Sequence, residues 1–574
     1  MPIVGSRYAV VALKLKIGLF TYTQEIDVPS LNRGANSIKI TNQSVIDAYN
    51  NAPLGNTFQT WVDITYDPGF LAMGETIAFS TSYYTPNQLN PTFAVLDILP
   101  RTTTDADEFS IVDLVTKTGT GVVTFSSSNP SVATINSLGI MNVLSAGTTD
   151  ITFYLAASAD NVYKAATPIT KTLTITPPIW YIRGQDIDGE AAGDQSGTSV
   201  SLSADGTIVA IGAPHNSDNG SNRGQVRLYK WDTTTSSWGQ LGQDIDGEAA
   251  NDRSGTSVSL SADGTKVAIG APGNAPGNVS FKGHTRVYEW DFVFLTWRKL
   301  GQDIDGEAMF DESGISVSLS ADGTKVAIGA PYNYSGNGIK TGHARVYEWN
   351  GSEWVKVGQD IDGEMNDNRS GYSVSLSANG TKIAIGARLN YGNDTDSGHV
   401  RVYEWNIVSS LWAKVGQDID GESANEQSGY SVSLSADGTK VAIGAPFNDS
   451  SRGRVKVWEW NSTTSLWVQL GQAILGQAAG EESGTSVSLS ADGTIVAIGA
   501  PFNDSSRGRV KVWEWNSTTL LWVMFGQNID GEAANDRSGR SVSLSADGTK
   551  VAIGAPYNGG NGINSGDTIV YEYR

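Results

Sequence analysis

The sequence predicts an all-β protein built around a closed ring of seven four-stranded units. Three observations predict it. The string Ser-Val-Ser-Leu-Ser-Ala-Asp-Gly-Thr, or a near copy, begins at Ser199, Ser257, Ser316, Ser373, Ser431, Ser486 and Ser541. That regular recurrence matches one propeller blade per unit. The composition agrees: Gly is 65 of 574 residues, Trp 16, and charged residues only 17%, which suits short strands and turns better than helices. Finally, the last unit stops after its third strand, while an orphan fourth strand lies at 179–185, ahead of the first unit. A closed ring uses both and leaves no open sheet edge; an open stack of repeats would need polar caps at its ends instead. The expectation is a seven-bladed β-propeller closed by an N-terminal strand.

Each unit reads in the same order. Ser-Gly-x-Ser-Val-Ser-Leu-Ser alternates apolar and small polar residues, the pattern of a half-buried strand. Ala-Asp-Gly-Thr is a tight turn, with Gly supplying a positive φ. A second strand follows, Lys-Val-Ala-Ile-Gly-Ala-Pro in most copies. After a variable loop come a third strand like Arg-Val-Tyr-Glu-Trp-Asn and a fourth like Leu-Trp-x-Lys-Val-Gly-Gln. An acidic loop, Asp-Ile-Asp-Gly-Glu-Ala-Ala-Asn-Asp-Arg in its fullest form, leads to the next unit. Fifteen of the 16 Trp lie at or after Trp180. Their recurrence at the third and fourth strands predicts flat side chains filling the space between blades.

These units resemble FG-GAP repeats, the blades of integrin-α-type propellers. The resemblance rests on Gly193-Asp194-Gln195-Ser196-Gly197-Thr198-Ser199-Val200 and on the Gly-Ala-Pro ends of the second strands at 212–214, 270–272, 329–331, 444–446, 499–501 and 554–556. Ser196 stands where the family has Phe, and Arg388 where it has Pro. The family's calcium motif does not carry over. The first turn, as at 203–207, offers a single Asp, too few oxygens for a Ca²⁺ ion.

The first 178 residues are a different object. Residues 93–177 resemble a bacterial Ig-like domain of the BIG2 type, through 123–135, Gly139, 146–152 and 172–175. The resemblance implies a β-sandwich spacer. Residues 1–92 read as a β-rich domain with strands near 8–20, 37–41, 58–66 and 76–84 and a short helix at 44–51 capped by Ser44. Its position suggests an anchor. The propeller then occupies 178–574.

Charge and chemistry narrow the function. Net charge is −21, with no basic face for nucleic acid. There is no Cys, so no disulfide, thiolate nucleophile or Cys-held metal. No apolar run approaches the ~20 residues of a membrane span, and the six-residue run at 8–13 predicts no secretion signal. No catalytic residue is expected: the acidic pairs recur almost unchanged from blade to blade, whereas an active site needs one asymmetric constellation. His284, His343 and His399 occupy one equivalent position on three blades, which predicts packing or turn roles.

Two sets of site residues remain. Asp244, Asp246, Glu248 and Asp252, with equivalents in other blades, space their carboxylates like a calcium loop. The misplaced Gly247, and the Ala473, Leu475 and Gln477 of the sixth unit, favour turn-capping instead. No cofactor is required on this reading, and calcium is the one ion considered. The second set lies on the variable loops between second and third strands: Asn216, Asn274, Tyr332, Tyr334, Arg388, Tyr391, Phe447, Phe502 and Tyr557. Variable loops on a rigid scaffold form binding surfaces, and the resemblance implies partner binding on this rim.

The sequence therefore points to a non-catalytic, surface-displayed structural or interaction protein, a capsid-associated virion component or a cell-surface component. Its partners would be proteins (capsid or surface neighbours, a host receptor) or glycans, with neither nucleic acid nor membrane insertion. A calcium-dependent secreted bacterial adhesin is the first alternative, and a carbohydrate-active enzyme the second.

Overall fold

A computed structural model describes residues 90–98, 110–158, 163–176, 178–218, 220–275, 281–334 and 340–574. It also gives the backbone of 10–17, 20–27, 58–65, 101–102 and 109. The chain divides into two compact units, 1–177 and 178–574.

In the first unit Val10–Ile17 pairs antiparallel with both Phe20–Asp27 and Phe58–Thr65. The expected single strand over 8–20 is thus shorter, and a second strand begins at Phe20. The expected strands at 37–41 and 76–84 and the helix at 44–51 lie outside the described residues. Further along, Gly147–Leu155 runs between Ile169–Thr176 and Val123–Ser127 in one sheet. Ile140–Val143 joins Ala133–Ile135 in another. Gly147–Leu155 buries Thr149, Ile151, Phe153 and Leu155 and leaves the residues between exposed or half-buried, the alternation of a strand with one face in a core. Ile111, Met141, Ile151, Phe153 and Leu173 fill that core.

The second unit is a seven-bladed propeller. Each blade is an antiparallel sheet ordered first, second, third, fourth strand, as in Ser257–Leu260, Lys266–Ala271, His284–Asp291 and Thr296–Lys299. One element escaped the sequence reading. The Ile-Asp of each acidic loop forms a two-residue strand, such as Ile304–Asp305, that pairs with the start of the third strand. The seventh blade takes its fourth strand from the N-terminal side: Trp180–Ile182 pairs with Asp567–Tyr573.

The serines of the recurring string seal blade to blade. Ser257 Oγ donates to the Gly314 carbonyl at 2.8 Å, and Ser259 Oγ accepts from the Leu319 amide at 2.9 Å. Ser541 Oγ donates in the same way to the Gly197 carbonyl, across the ring junction. The turn alanines close a second circle. The Ala204 N–H donates to the Ala262 carbonyl, and the bond repeats through Ala321, Ala378, Ala436 and Ala491 to Ala546, whose N–H returns to Ala204, each at 2.8 Å. The Gly of Gly-Ala-Pro permits the serine contact between blades. A Cβ on Gly270 would sit 2.0 Å from the Gly314 carbonyl oxygen and 2.4 Å from Ser257 Oγ.

The apolar cores lie between blades. Ile208 and Leu228 of the first blade pack with Val258, Leu260 and Trp297 of the second. Val200, Ile211 and Trp238 of the first pack with Ala552 and Val570 of the seventh. Each fourth-strand Trp is clamped by the Gln that ends the preceding blade. Gln243 accepts from the Trp297 amide at 2.9 Å and donates to its carbonyl at 2.8 Å, while the indole N–H reaches the Leu241 carbonyl at 2.8 Å.

Candidate functional site

The rim bearing the variable loops holds two arrangements: a network between blades and a cluster around the propeller axis. Both grow from equivalent positions of the repeat.

The network starts at the third strand. The strand's pairing register places Arg286, Arg345 and Arg401 at one position and His284, His343 and His399 two residues earlier. Each Arg forks onto an Asp just past its fourth strand. Arg345 Nε and Nη2 donate to the two Asp360 carboxylate oxygens at 2.9 and 2.8 Å, and Arg286–Asp303 and Arg401–Asp418 repeat the pair. Each Arg also meets a Glu of the preceding acidic loop: Glu248, Glu307 or Glu364. The result is three Glu–His–Asp sets whose ligand atoms lie within 4.8 Å of one another. A guanidinium already neutralises the carboxylates of each set, and charge-assisted bidentate bonds are the strong kind. The histidines therefore do not gather with one another, but each gathers two acids, which the sequence reading did not foresee.

Burial would raise the Asp360 and Asp418 carboxyls, but hydrogen bonds from the Arg and a nearby Lys hold both well below the usual carboxylate range. Burial, helped by the adjacent Arg, pushes His343 and His399 down to about 4. Between pH 6.5 and 4 the unfolded chain thus binds protons that these folded imidazoles refuse, so stability falls as the pH falls through that window. Thermal melting of the wild type should drop across it more steeply than melting of a His343→Asn/His399→Asn double variant. Parallel curves would remove the histidines from the acid response.

The four acids of the 244–252 loop are not brought together. Asp252 is 1% exposed and accepts from the Glu248 and Ala249 amides at 2.9 and 2.8 Å, shaping the loop from within. Glu248 goes to Arg286. Asp244 accepts from Gln240 at 2.6 Å, and Asp246 stands opposite Gln225 in the strand register. The loop folds around Asp252 and turns the other carboxylates elsewhere, so the spacing that resembled a calcium loop describes a cap.

The predicted rim residues also divide. Asn216 and Asn274 are 2% and 4% exposed, which corrects their assignment to a contact surface. Asn216 is spent on the Asp194 carboxylate at 3.2 Å, as Asn333 is on Asp311 at 3.0 Å. Tyr334 and Tyr391 are exposed. Tyr332, Arg388, Phe447, Phe502 and Tyr557 are half-buried, and they join a cluster that the sequence reading named only in part. Arg369 lies over the Tyr332 ring at 3.9 Å. Arg388, the residue that replaces Pro, lies over Tyr372 at 4.1 Å and donates to Gln427 at 2.7 Å. Tyr430 packs on Tyr372 and on Phe447. Arg537 lies over Tyr557 at 4.2 Å and Phe502 at 4.8 Å.

Arg540 brings the seventh blade into the cluster. It directly precedes the innermost strand of the seventh blade, yet interacts electrostatically with Tyr430 of the fifth, whose ring packs on that of Tyr372 of the fourth. The equivalent positions in the other blades are Thr198, Thr256, Ile315 and Thr485, so the arginine–tyrosine chemistry is confined to one side of the mouth. Three guanidinium nitrogens there, Arg369 Nε and Nη1 and Arg388 Nε, are buried without a hydrogen-bond acceptor.

The fold and its closure define a seven-bladed propeller preceded by an Ig-like sandwich. The chain carries FG-GAP repeats, matched by that family at 188–229 and 530–571. It also carries a bacterial Ig-like domain (group 2), matched at 108–166. FG-GAP and Ig-like domains are those of surface and interaction proteins and are typically non-enzymatic. No curated protein sequence matches the chain. Among solved structures it is similar to a candidate 6-phosphogluconolactonase from Bacteroides uniformis, at 13% identity over 67% of this chain and 92% of that one, with a TM-score of 0.42. It is similar to the C-terminal WD40 domain of Sif2, at 15% identity over 69% and 98%, TM-score 0.40. The periplasmic gluconolactonase PpgL of Pseudomonas aeruginosa is similar at 15% identity over 60% and 94%, TM-score 0.39. Among the described residues no helix is long and apolar enough to cross a membrane.

Proposed function

We propose that the protein is a non-catalytic component of a virion or cell surface whose propeller binds an acidic protein partner at its axial mouth. The supporting observation is the pair Arg369 and Arg388, whose buried guanidinium nitrogens lack acceptors beside stacked Tyr332, Tyr372 and Tyr430. An unsatisfied buried donor costs free energy that an incoming carboxylate recovers. Arg and Tyr in partly desolvated pockets are also the residues that dominate protein–protein binding. In a chain of net charge −21, this mouth is where a negative partner meets arginine, so attraction is local and favours one orientation. The Ig-like domain acts as a spacer, and residues 1–92 as the anchor.

The test has two arms. Limited proteolysis of intact source particles or cells should release propeller peptides first; a protein found only in the soluble interior overturns the display reading. Immobilised acidic peptides should retain the wild-type protein at low salt and retain an Arg369→Ala/Arg388→Ala variant roughly tenfold or more less well. Equal retention removes the mouth as the site, and binding confined to a glycan array replaces the protein partner with a carbohydrate.

A further inference from the structure

The inter-blade network has one exception, and it lies where the ring closes. At the position of Arg286, six blades carry a cation: Arg227, Arg286, Arg345, Arg401, Lys456 and Lys511. The seventh carries Ile569. Two residues earlier, where others have Gln225, His284, His343, His399, Arg454 or Arg509, the seventh has Asp567. The sequence keeps the acids of the network, with Glu532 equivalent to Glu307 and Asp186 equivalent to Asp360. The closing blade thus keeps the anionic frame and has lost its cation.

The register makes the deficit sharper. Asp567 stands directly opposite Asp188 across the strand pair. In the other blades the opposite residues are Asp with His, Asp with Arg, Asp with Gln, or Leu475 with Arg454. Like charges directly opposed destabilise a sheet. Asp567 is 1% exposed, and its Oδ1 is buried with no hydrogen-bond partner. Among the described residues, the side chain that donates to the surrounding acids is the Asn558 amide, 3.2 Å from Glu532 and 3.4 Å from Asp536, and the Ala533 N–H also reaches Asp536 at 2.7 Å. Among the described residues, only the three histidine-bearing sets bring their ligand atoms within 4.8 Å. In those sets a guanidinium draws the acids together, and the closing blade has no such group.

We propose that a divalent cation takes the place of the missing guanidinium in the closing blade, held by the carboxylates of Glu532, Asp567 and Asp186 at the junction between the two ends of the ring. An all-oxygen, carboxylate-rich donor set selects hard ions, and calcium accepts irregular oxygen shells completed by water. The site differs from the 244–252 loop in its ligands: its centre is a third-strand residue, and only one blade has it. It joins Asp186, from the segment that follows the N-terminal closing strand, to Asp567, from the last strand of the chain. Binding there links folding of the ring to the ion, because the open chain does not assemble the ligands. The site is independent of the axial mouth.

The experiment uses the full chain freed of metal with a chelator. Terbium(III) luminescence, excited through the nearby aromatic side chains and competed with CaCl₂, reports binding; thermal melting with and without CaCl₂ reports coupling to the fold. The expected result is one saturable terbium site displaced by calcium, with a rise in melting temperature on adding calcium. Asp567→Asn should weaken binding roughly tenfold or more. Ile569→Arg should restore the arrangement of the other blades, abolish both responses, and melt without calcium no lower than the wild type. Glu248→Gln should keep both responses. Absence of saturable binding in the wild type overturns the proposal, as does an unchanged calcium response in Ile569→Arg. If Ile569→Arg fails to fold, Asp567→Asn decides: binding equal to wild type overturns the site.

Discussion

Trp180→Ala is expected to cost about 3–5 kcal/mol of stability, the range for truncating a buried large aromatic. Trp180 is 3% exposed. Its ring packs 5.3 Å from that of Tyr573 and 5.9 Å from that of Phe525, and its indole N–H donates to the Phe525 carbonyl at 2.8 Å. Gln527 clamps its backbone at both sides, accepting at 2.8 Å and donating at 2.7 Å. Every blade has this clamp, and Trp522 with Gln472 is a mid-ring copy. Only at Trp180 does the clamp join residues 347 positions apart in sequence. Urea denaturation should therefore show a lower midpoint for both Trp180→Ala and Trp522→Ala. Trp180→Ala alone should also make the seventh blade sensitive to proteases under native conditions, because its edge is freed. An unchanged midpoint for Trp180→Ala would show that the closing strand contributes little to the ring.

The second large effect is expected at Arg345. Its side chain is 7% exposed and holds Asp360 and Glu307. Arg345→Met keeps the apolar stem and removes the charge, leaving two carboxylates beside His343. Breaking a buried pair costs about 3–5 kcal/mol; the lower end applies because Asp360 and Glu307 retain 26% and 50% exposure and water screens part of the loss. Acid should relieve the defect by protonating the carboxylates, so the difference in urea midpoint from the wild type should narrow as the pH falls from 7 to 4. A difference that stays constant with pH would assign the loss to packing and not to charge.

The blades were legible in the sequence because each repeats one set of local rules. Alternating Ser-Val-Ser-Leu, an Asp-Gly turn, the Gly-Ala-Pro end and the Trp-bearing outer strands each state a strand, a turn or a close approach without reference to distant residues. The closure was legible for a related reason: a missing strand at one end and a spare at the other make a count that only a ring satisfies. The two-residue strand within each acidic loop was not legible, since Ile-Asp carries no periodicity of its own. Asn216 and Asn274 were misread because a polar residue in a variable loop looks like a surface residue. The carboxylate 22 residues before Asn216 gives that amide a buried partner.

The candidate sites were legible only in part. Arg388 stood out as a departure from the repeat, but Arg369, Arg537, Arg540, Tyr372 and Tyr430 did not. They occupy ordinary positions at or just ahead of the first strands of three blades, and only the circular arrangement brings them to one mouth. In the same way Asp567 looks like any polar strand residue until the register sets it against Asp188 and the ring sets Glu532 and Asp186 beside it. By itself the sequence determined the blade, the number of blades, the closing strand and the Ig-like sandwich, because these follow from spacing and local pattern. Only the tertiary structure decided which charges meet, which arginines and tyrosines of different blades gather at one mouth and which blade lacks its cation. Such pairings join residues tens to hundreds of positions apart, and electrostatic energy depends on their distance in space and their burial, neither of which a linear pattern encodes.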